Sequence, residues 1–317
     1  MQTQCYAEKV QERVTAIITG LEPGQHARML KDESYSFQHS LGNYPGLTIP
    51  NIQKLTRKLL DEKRYDQVYC RVLSDGAMNE INTDTVMATL QSFDTAGAWL
   101  RLTRVDEIND ELGELAETFY NDLAKLLNRE FKSDVFRTFV TLFVSSPGAV
   151  THYHMDHTWN FLLQIGGCKT VYLFDQNDPR VLQPTDLDAW YWNRFAPKLR
   201  DDVPGIGYEL KPGIGVHHPV HAPHWVQNKS EISVSLSFGL CLNATNDQAK
   251  VHQINFLLRK LGLKPTPPNK SPLRDKVKIG MVKMISKRGR SFDDVVYSGQ
   301  HRMEDVLKKV GIIKPIN

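Results

Sequence analysis

Apolar positions follow two different periods along this chain, and the changeover lies near residue 135. Before it, helical spacing dominates. Tyr6, Val10, Val14 and Ile17 form one stripe over residues 6–18, with Gly20 as a stop, and 51–64 and 107–128 carry the same spacing. The second of these has Leu112, Leu115, Phe119, Leu123 and Leu126 on one face. A single strand is expected at 67–73. From VFRTFVTLFVSS (135–146) onward the runs are β-branched and aromatic: TWNFLLQI, KTVYLF, YELKPG and ISVSLSFGLCL. The two glycines of IGGCK suggest a hairpin between the first two of these later runs. Ser233, Ser235 and Ser237 alternate with Val234, Leu236 and Phe238, which gives a strand with one polar and one apolar face.

The expected fold is therefore mainly β at its core with flanking helices. Residues 1–132 read as a mainly helical wrapping region, 133–245 as a β core, and 246–317 as a basic helical region beginning with a helix near 247–261. A core of about 110 residues suits a small barrel or a double-sheet jelly roll. The segment DAWYWNRF (188–195) reads as an inserted helix packed on the core, with a substrate lid as the alternative.

Composition places the chain among globular proteins, with 317 residues, 41% hydrophobic and 24% charged. Net charge is +3, but residues 250–317 carry 16 Lys and Arg against 5 Asp and Glu, while residues 1–249 carry 23 against 31. The four cysteines stand far apart without a CxxC pair, which excludes a zinc ribbon and argues against a disulfide scaffold. No basic start followed by an apolar stretch opens the sequence, so a cytoplasmic protein with reduced thiols is expected. Within the basic tail, Leu273, Val277, Met281 and Ile285 recur every four residues. That stripe would dock on the core, join two copies through the C-terminal helices, or rest on an anionic membrane face through 271–290. No aromatic residue lies between Lys270 and Arg290, which argues against nucleic acid.

Histidine placement carries the chemistry. Seven of the 11 histidines fall in two short clusters, His152, His154 and His157, then His217, His218, His221 and His224. In His154-Met155-Asp156, positions i and i+2 of a strand would turn an imidazole and a carboxylate to one face. One histidine of the second cluster would complete a two-histidine, one-carboxylate facial triad, the geometry of non-haem iron(II) oxygenases.

The stretch Thr151-His-Tyr-His154-Met-Asp156, followed by Asn160-Phe-Leu-Leu-Gln164-Ile-Gly-Gly-Cys-Lys169, resembles the JmjC and cupin-like branch of the 2-oxoglutarate-dependent oxygenases. Downstream, Pro212-Gly213, Pro219 and His224-Trp225 match the same pattern, with Ile214 departing from the Asp common after that glycine. The likeness also extends to a bacterial cupin-like or "jumonji" subgroup through FQHSLGNYPGLTIPNIQKL, HAPHWVQN and LRKLGLKPTPP. It implies a double-stranded β-helix, iron(II) held by His154, Asp156 and His224, and 2-oxoglutarate and O2 as co-substrates. Lys169 would pair with the distal carboxylate of 2-oxoglutarate, and Thr151 and Asn160 would hydrogen-bond to it. The product would be a hydroxylated C–H bond in a small molecule or side chain, with succinate and CO2 released.

Physics supports the lysine assignment from another side. Lys169, Val171 and Leu173 share one strand face, and an ammonium on an apolar inward face is costly without an anion. The alternatives are a non-oxidative metal cupin of isomerase type, an N-demethylase, and a regulatory jumonji protein. Lys169 and Thr151 speak against the first, since only a 2-oxoglutarate enzyme needs an anion partner at that depth.

Overall fold

The computed structural model describes residues 14–21, 23–72, 83–128 and 133–285. In chain order these form β1 (Ile18–Gly20), α1 (Pro23–Leu30), β2 (Tyr35–His39), α2 (Ile49–Asp61), β3 (Val68–Val72), α3 (Thr83–Gln91), β4 (Ala98–Thr103), α4 (Asp110–Leu127) and β5 (Val135–Ser145). There follow β6 (Val150–His154), β7 (Trp159–Gly166), β8 (Lys169–Leu173), α5 (Pro184–Trp190), β9 (Ile206–Leu210), β10 (Ile214–His218), β11 (His224–Asn228), β12 (Ser233–Leu242), α6 (Asn243–Lys260) and α7 (Pro272–Ile285).

The strands form two antiparallel sheets. The larger runs β1-β2-β10-β7-β12-β5-β4-β3, and the smaller β6-β11-β8-β9. Leu162 and Val216 of the larger sheet pack with Val171, Leu173 and Leu210 of the smaller, so the two lie face to face as a double-stranded β-helix. The region before residue 133 is not only a helical wrap: its four strands flank the larger sheet on both edges.

Register explains how one sheet serves two purposes. Val68, Leu102, Leu142, Leu236 and Leu163 pair in a row across β3, β4, β5, β12 and β7. This row faces the helices, where Leu112, Leu115, Phe119 and Leu123 of α4 are buried. The Phe119 ring stacks on Phe238 with centroids 4.3 Å apart and a 14° interplanar angle. Side chains of this size each contribute about 1.5–3 kcal/mol when buried. One residue further along every strand, Tyr69, Arg101, Phe143, Ser235 and Gln164 form a second row on the opposite face, toward the smaller sheet. The serines of β12 thus face the interior of the sandwich; Ser233, Ser235 and Ser237 are all buried.

Three local expectations are corrected. Residues 14–18 are not helical. Ile17 and Ile18 instead donate their backbone N–H groups to the Asp122 carboxylate, at 2.6 and 3.2 Å, and lead into β1, while residues 6–13 lie outside the described part. Nor do β7 and β8 form a hairpin, because they belong to different sheets and Gly166-Gly167-Cys168 is the corner between them. Gly167 has φ +66°, and a Cβ there would lie 2.1 Å from the Ile232 carbonyl oxygen, so only glycine fits. Gln164 holds the corner by donating to the Gly166 and Gly167 carbonyls at 2.6 and 3.0 Å, while Ser235 donates to its Oε1 at 2.7 Å.

The third correction concerns α7. Its buried positions are Asp275, Lys278 and Val282, and Lys278 donates to Asn255 Oδ1 of α6 at 2.6 Å. Leu273, Val277 and Met281 lie on the other side, 76%, 58% and 52% exposed, so the apolar stripe does not dock on this chain's core. A polar inward side overrides the periodicity. The aromatic segment at 188–195, by contrast, is core packing: Tyr191 and Trp192 are fully buried, and Trp192 stacks on Phe256 at 5.2 Å and donates to the Gln253 carbonyl. No described helix is long and apolar enough to cross a membrane.

Candidate metal centre and its cavity

β6 and β11 are neighbours in the smaller sheet, and their register sets His154 directly opposite His224. The two rings lie 4.2 Å apart. Asp156 is past the end of β6, in a loop, so strand alternation is not what aims it. Two hydrogen bonds do. Asn160 Nδ2 donates to Asp156 Oδ2 at 3.0 Å, and the His221 N–H donates to the Asp156 carbonyl at 2.8 Å. The outcome is one donor atom each from His154, Asp156 and His224, all within 4.8 Å of one another.

The rings are set in the tautomer that a metal requires. His154 Nδ1 lies 2.7 Å from the His152 carbonyl, and His224 Nδ1 lies 2.9 Å from the Ala222 carbonyl. A carbonyl only accepts, so each Nδ1 carries the hydrogen and each Nε2 keeps a lone pair. Such backbone partners orient ligating imidazoles. Two imidazole nitrogens and one carboxylate oxygen on one side of a site suit a divalent transition metal with open positions.

Electrostatics agree with that donor set. Burial raises the Asp156 carboxyl, but the nearby His154, His224, His157 and Arg101 outweigh it and hold the group below the usual carboxylate range. Burial pushes His224 down to about 4, with His154 adding to the effect, so it stays a neutral ligand at ordinary pH.

These residues open onto a cavity of about 590 Å³ between the sheets. Thr151, Asn160 and Lys169 line it, as the resemblance implies. Lys169 is 4% exposed, and among the described residues no carboxylate pairs with it. Burial alone pushes its ammonium down to about 7. Asn160 is committed to Asp156 and accepts from Thr158 Oγ1 at 3.2 Å.

The remaining histidines separate cleanly. His217 turns away from the cavity, against Phe161 at 4.6 Å and 3.3 Å from Asp32. His218, its neighbour on β10, turns inward, 4.6 Å from the His224 ring. Its Nε2 is buried without a hydrogen-bond partner, and burial drives its pKa well down. His221 accepts from or donates to Tyr191 Oη at 2.8 Å, His157 lines the cavity 5.9 Å from Trp190, and His152 is exposed.

Sequence reasoning named His218 without assigning it a role, and missed the wall formed by Trp99, Arg101 and Thr103 of β4. A signal for the wall was present. Ala98, Leu100 and Leu102 alternate with Trp99, Arg101 and Thr103, the two-residue period of a half-buried strand.

Fold and donor set together define a metal cupin of the two-histidine, one-carboxylate kind. The family model for the cupin-like domain matches residues 17–250, and the chain belongs to that family. Among solved structures it is similar to YcfD of Escherichia coli, at 14% identity and a TM-score of 0.50, covering 94% of this chain and 71% of that one. A second structure of that protein, described as a ribosomal oxygenase, gives 13% identity and 0.49 over 86% of this chain and 69% of the other. A third, holding cobalt and 2-oxoglutarate, gives 14% and 0.46 over 90% and 66%. At these identities the likeness is one of fold. Comparison with curated proteins by sequence gives no match.

Proposed function

We propose that this protein is an iron(II)- and 2-oxoglutarate-dependent oxygenase that hydroxylates a C–H bond. One observation carries the reading: a facial His154–Asp156–His224 donor set shares its cavity with a buried Lys169 that has no carboxylate partner among the described residues. A dicarboxylate co-substrate supplies the anion that this buried ammonium needs. Membership of the cupin-like family and the double-stranded β-helix support the reading.

When bound, iron(II) with 2-oxoglutarate and O2 supplies the oxidising power, releasing succinate and CO2 and delivering one oxygen atom to the substrate. The chain's own residues hold and orient. His154 and His224 offer Nε2 lone pairs fixed by their Nδ1–H bonds to backbone carbonyls. Asp156 adds the carboxylate, steadied by Asn160. Lys169 holds the distal carboxylate of 2-oxoglutarate as a point charge, with the Thr151 hydroxyl in the same cavity. Leu162 and Val226 give that end of the cavity apolar surface, which strengthens the charge pair by limiting water.

The test is succinate formation from 2-oxoglutarate by iron-loaded protein. Asp156→Ala and His224→Ala should each abolish it, and full turnover by both would remove the site. Lys169→Ala should raise the KM for 2-oxoglutarate while metal binding persists.

A further inference from the structure

The cavity has a second unpaired cation, on the wall opposite Lys169. Trp99, Arg101 and Thr103 of β4 face inward across from the smaller sheet, beside Arg104 and Arg137. Arg104 is ion-paired with Asp66, and Arg137 with Glu107 at 2.5 Å. Arg101 is exposed and makes no ion pair among the described residues. Its guanidinium instead lies over the Tyr69 ring at 5.2 Å and the Trp99 ring at 5.9 Å. Trp99 is itself stacked on Phe143 at 6.0 Å and 26° and meets Tyr69 edge to face, so two aromatic rings contact the guanidinium and a third backs one of them. Cation–π contacts hold the guanidinium without using its N–H donors.

We propose that Arg101 is the substrate-anchoring residue, and that the substrate is a small molecule with a carboxylate or phosphate group and an apolar body. The inference rests on the oxygenase reading in taking Lys169 as the co-substrate's partner. Four considerations fix the chemistry. A guanidinium without an ion pair matches a planar or tetrahedral anion bidentately. The cavity of about 590 Å³ falls within the usual range for small-molecule sites. Its lining carries Arg101, Arg104, Arg137 and Lys169 against Asp66 and Asp156, which disfavours a cationic substrate. Finally, Arg101 lines the same cavity as His154, Asp156 and His224, so an anion held there sets the rest of the molecule toward the metal centre. The aromatic faces of Trp99, Phe139 and Phe143 would take the apolar body.

The experiment is calorimetric titration of the full chain with a matched pair, 3-phenylpropionate and its neutral amide. Wild type should bind the carboxylate about tenfold more tightly, the order of one charge-assisted hydrogen-bonded pair. Arg101→Gln should lose that preference, Arg101→Lys should keep part of it, and Lys169→Met should keep it. Equal binding of both probes by wild type would overturn the proposal. So would a preference that survives Arg101→Gln but disappears in Lys169→Met, since the probe would then be seated at the co-substrate's place. Titration of the same samples with 2-oxoglutarate and Mn(II) separates the two readings. If 2-oxoglutarate fails to bind while the Arg101-dependent preference persists, the oxygenase reading falls and the anion site stands.

Discussion

Tyr191 Oη lies 2.8 Å from His221 Nε2, and the backbone N–H of that same histidine holds the carbonyl of Asp156 at 2.8 Å. A buried tyrosine after α5 thus reaches the loop of a metal ligand through one ring. His221 sits at φ +62°, a conformation that a non-glycine residue keeps only when its surroundings hold it. Tyr191 in turn stacks on His252 at 5.6 Å and 17°, and His252 Nδ1 lies 2.7 Å from the buried Asp188 carboxylate. The segment that reads in sequence as aromatic packing is therefore also the support of the Asp156 loop.

Tyr191→Phe tests that support. The ring still fills its site, so stability should fall by only about 1 kcal/mol, the net value of one hydrogen bond. Metal affinity should fall about tenfold or more, as for other partners that orient ligands. Mn(II) titration alongside thermal denaturation separates the two effects, and an unchanged Mn(II) affinity would show that the turn holds Asp156 unaided.

Co-substrate binding should depend on pH through Lys169. Its ammonium loses the proton near pH 7 in the empty cavity, and an anion binds only the protonated form. The apparent affinity for 2-oxoglutarate should therefore fall about tenfold between pH 6 and pH 8. Lys169→Met should bind weakly at both values, and a flat wild-type profile would detach the lysine from the anion.

The same lysine should lower stability, in a definite pH window. The folded group titrates near 7 and the unfolded one near 10.5, so between these values the unfolded chain binds the extra proton. Wild-type stability should rise from this group as pH climbs from 7 toward 10.5, and its cost should be fully present below 7. Lys169→Met should thus exceed wild type in Tm at pH 6, with the gap narrowing at pH 9. A gap that is constant across this range would mean that the side chain is not buried as a charge.

Gly167→Ala should be among the most disruptive substitutions that add a single carbon. Both the +66° φ and the 2.1 Å approach to the Ile232 carbonyl oppose a Cβ, so a loss of more than about 2 kcal/mol is expected. Gly148→Ala is the control, with φ +70° but open space. Urea denaturation of both variants gives the difference due to crowding alone.

Much of the β core was legible from residue pattern, because β5, β7, β8 and β12 are compact β-branched or aromatic runs, whereas the histidine-bearing β10 and β11 carry no such run. The metal ligands were legible because histidines cluster and the surrounding motif is specific, although alternation was the wrong reason for Asp156. What pattern could not give was pairing. IGGCK has the composition of a hairpin, and only the pairing of β8 with the distant β9 and β11 makes it a corner. Periodicity likewise marked Leu273, Val277 and Met281 as a stripe. It could not show that Asp275 and Lys278 find polar partners which turn the other face inward. Arg101 escaped notice because nothing local distinguishes it; its meaning comes from Tyr69 and Phe143, its neighbours across two ladders.

The row Tyr69, Arg101, Phe143, Ser235 and Gln164 has a consequence for how such a protein diversifies. Metal donors come from residues 154–224, whereas much of the wall facing them comes from 66–104, a segment whose strand β4 pairs with β5. Exchanges at positions 99, 101 and 103 point into the chamber and leave the apolar row at 98, 100 and 102 untouched. The chemistry and the choice of what undergoes it are thus written in separate stretches of one chain. The second can be revised by point changes on β4, the strand next to the sheet's edge, while the first stays fixed.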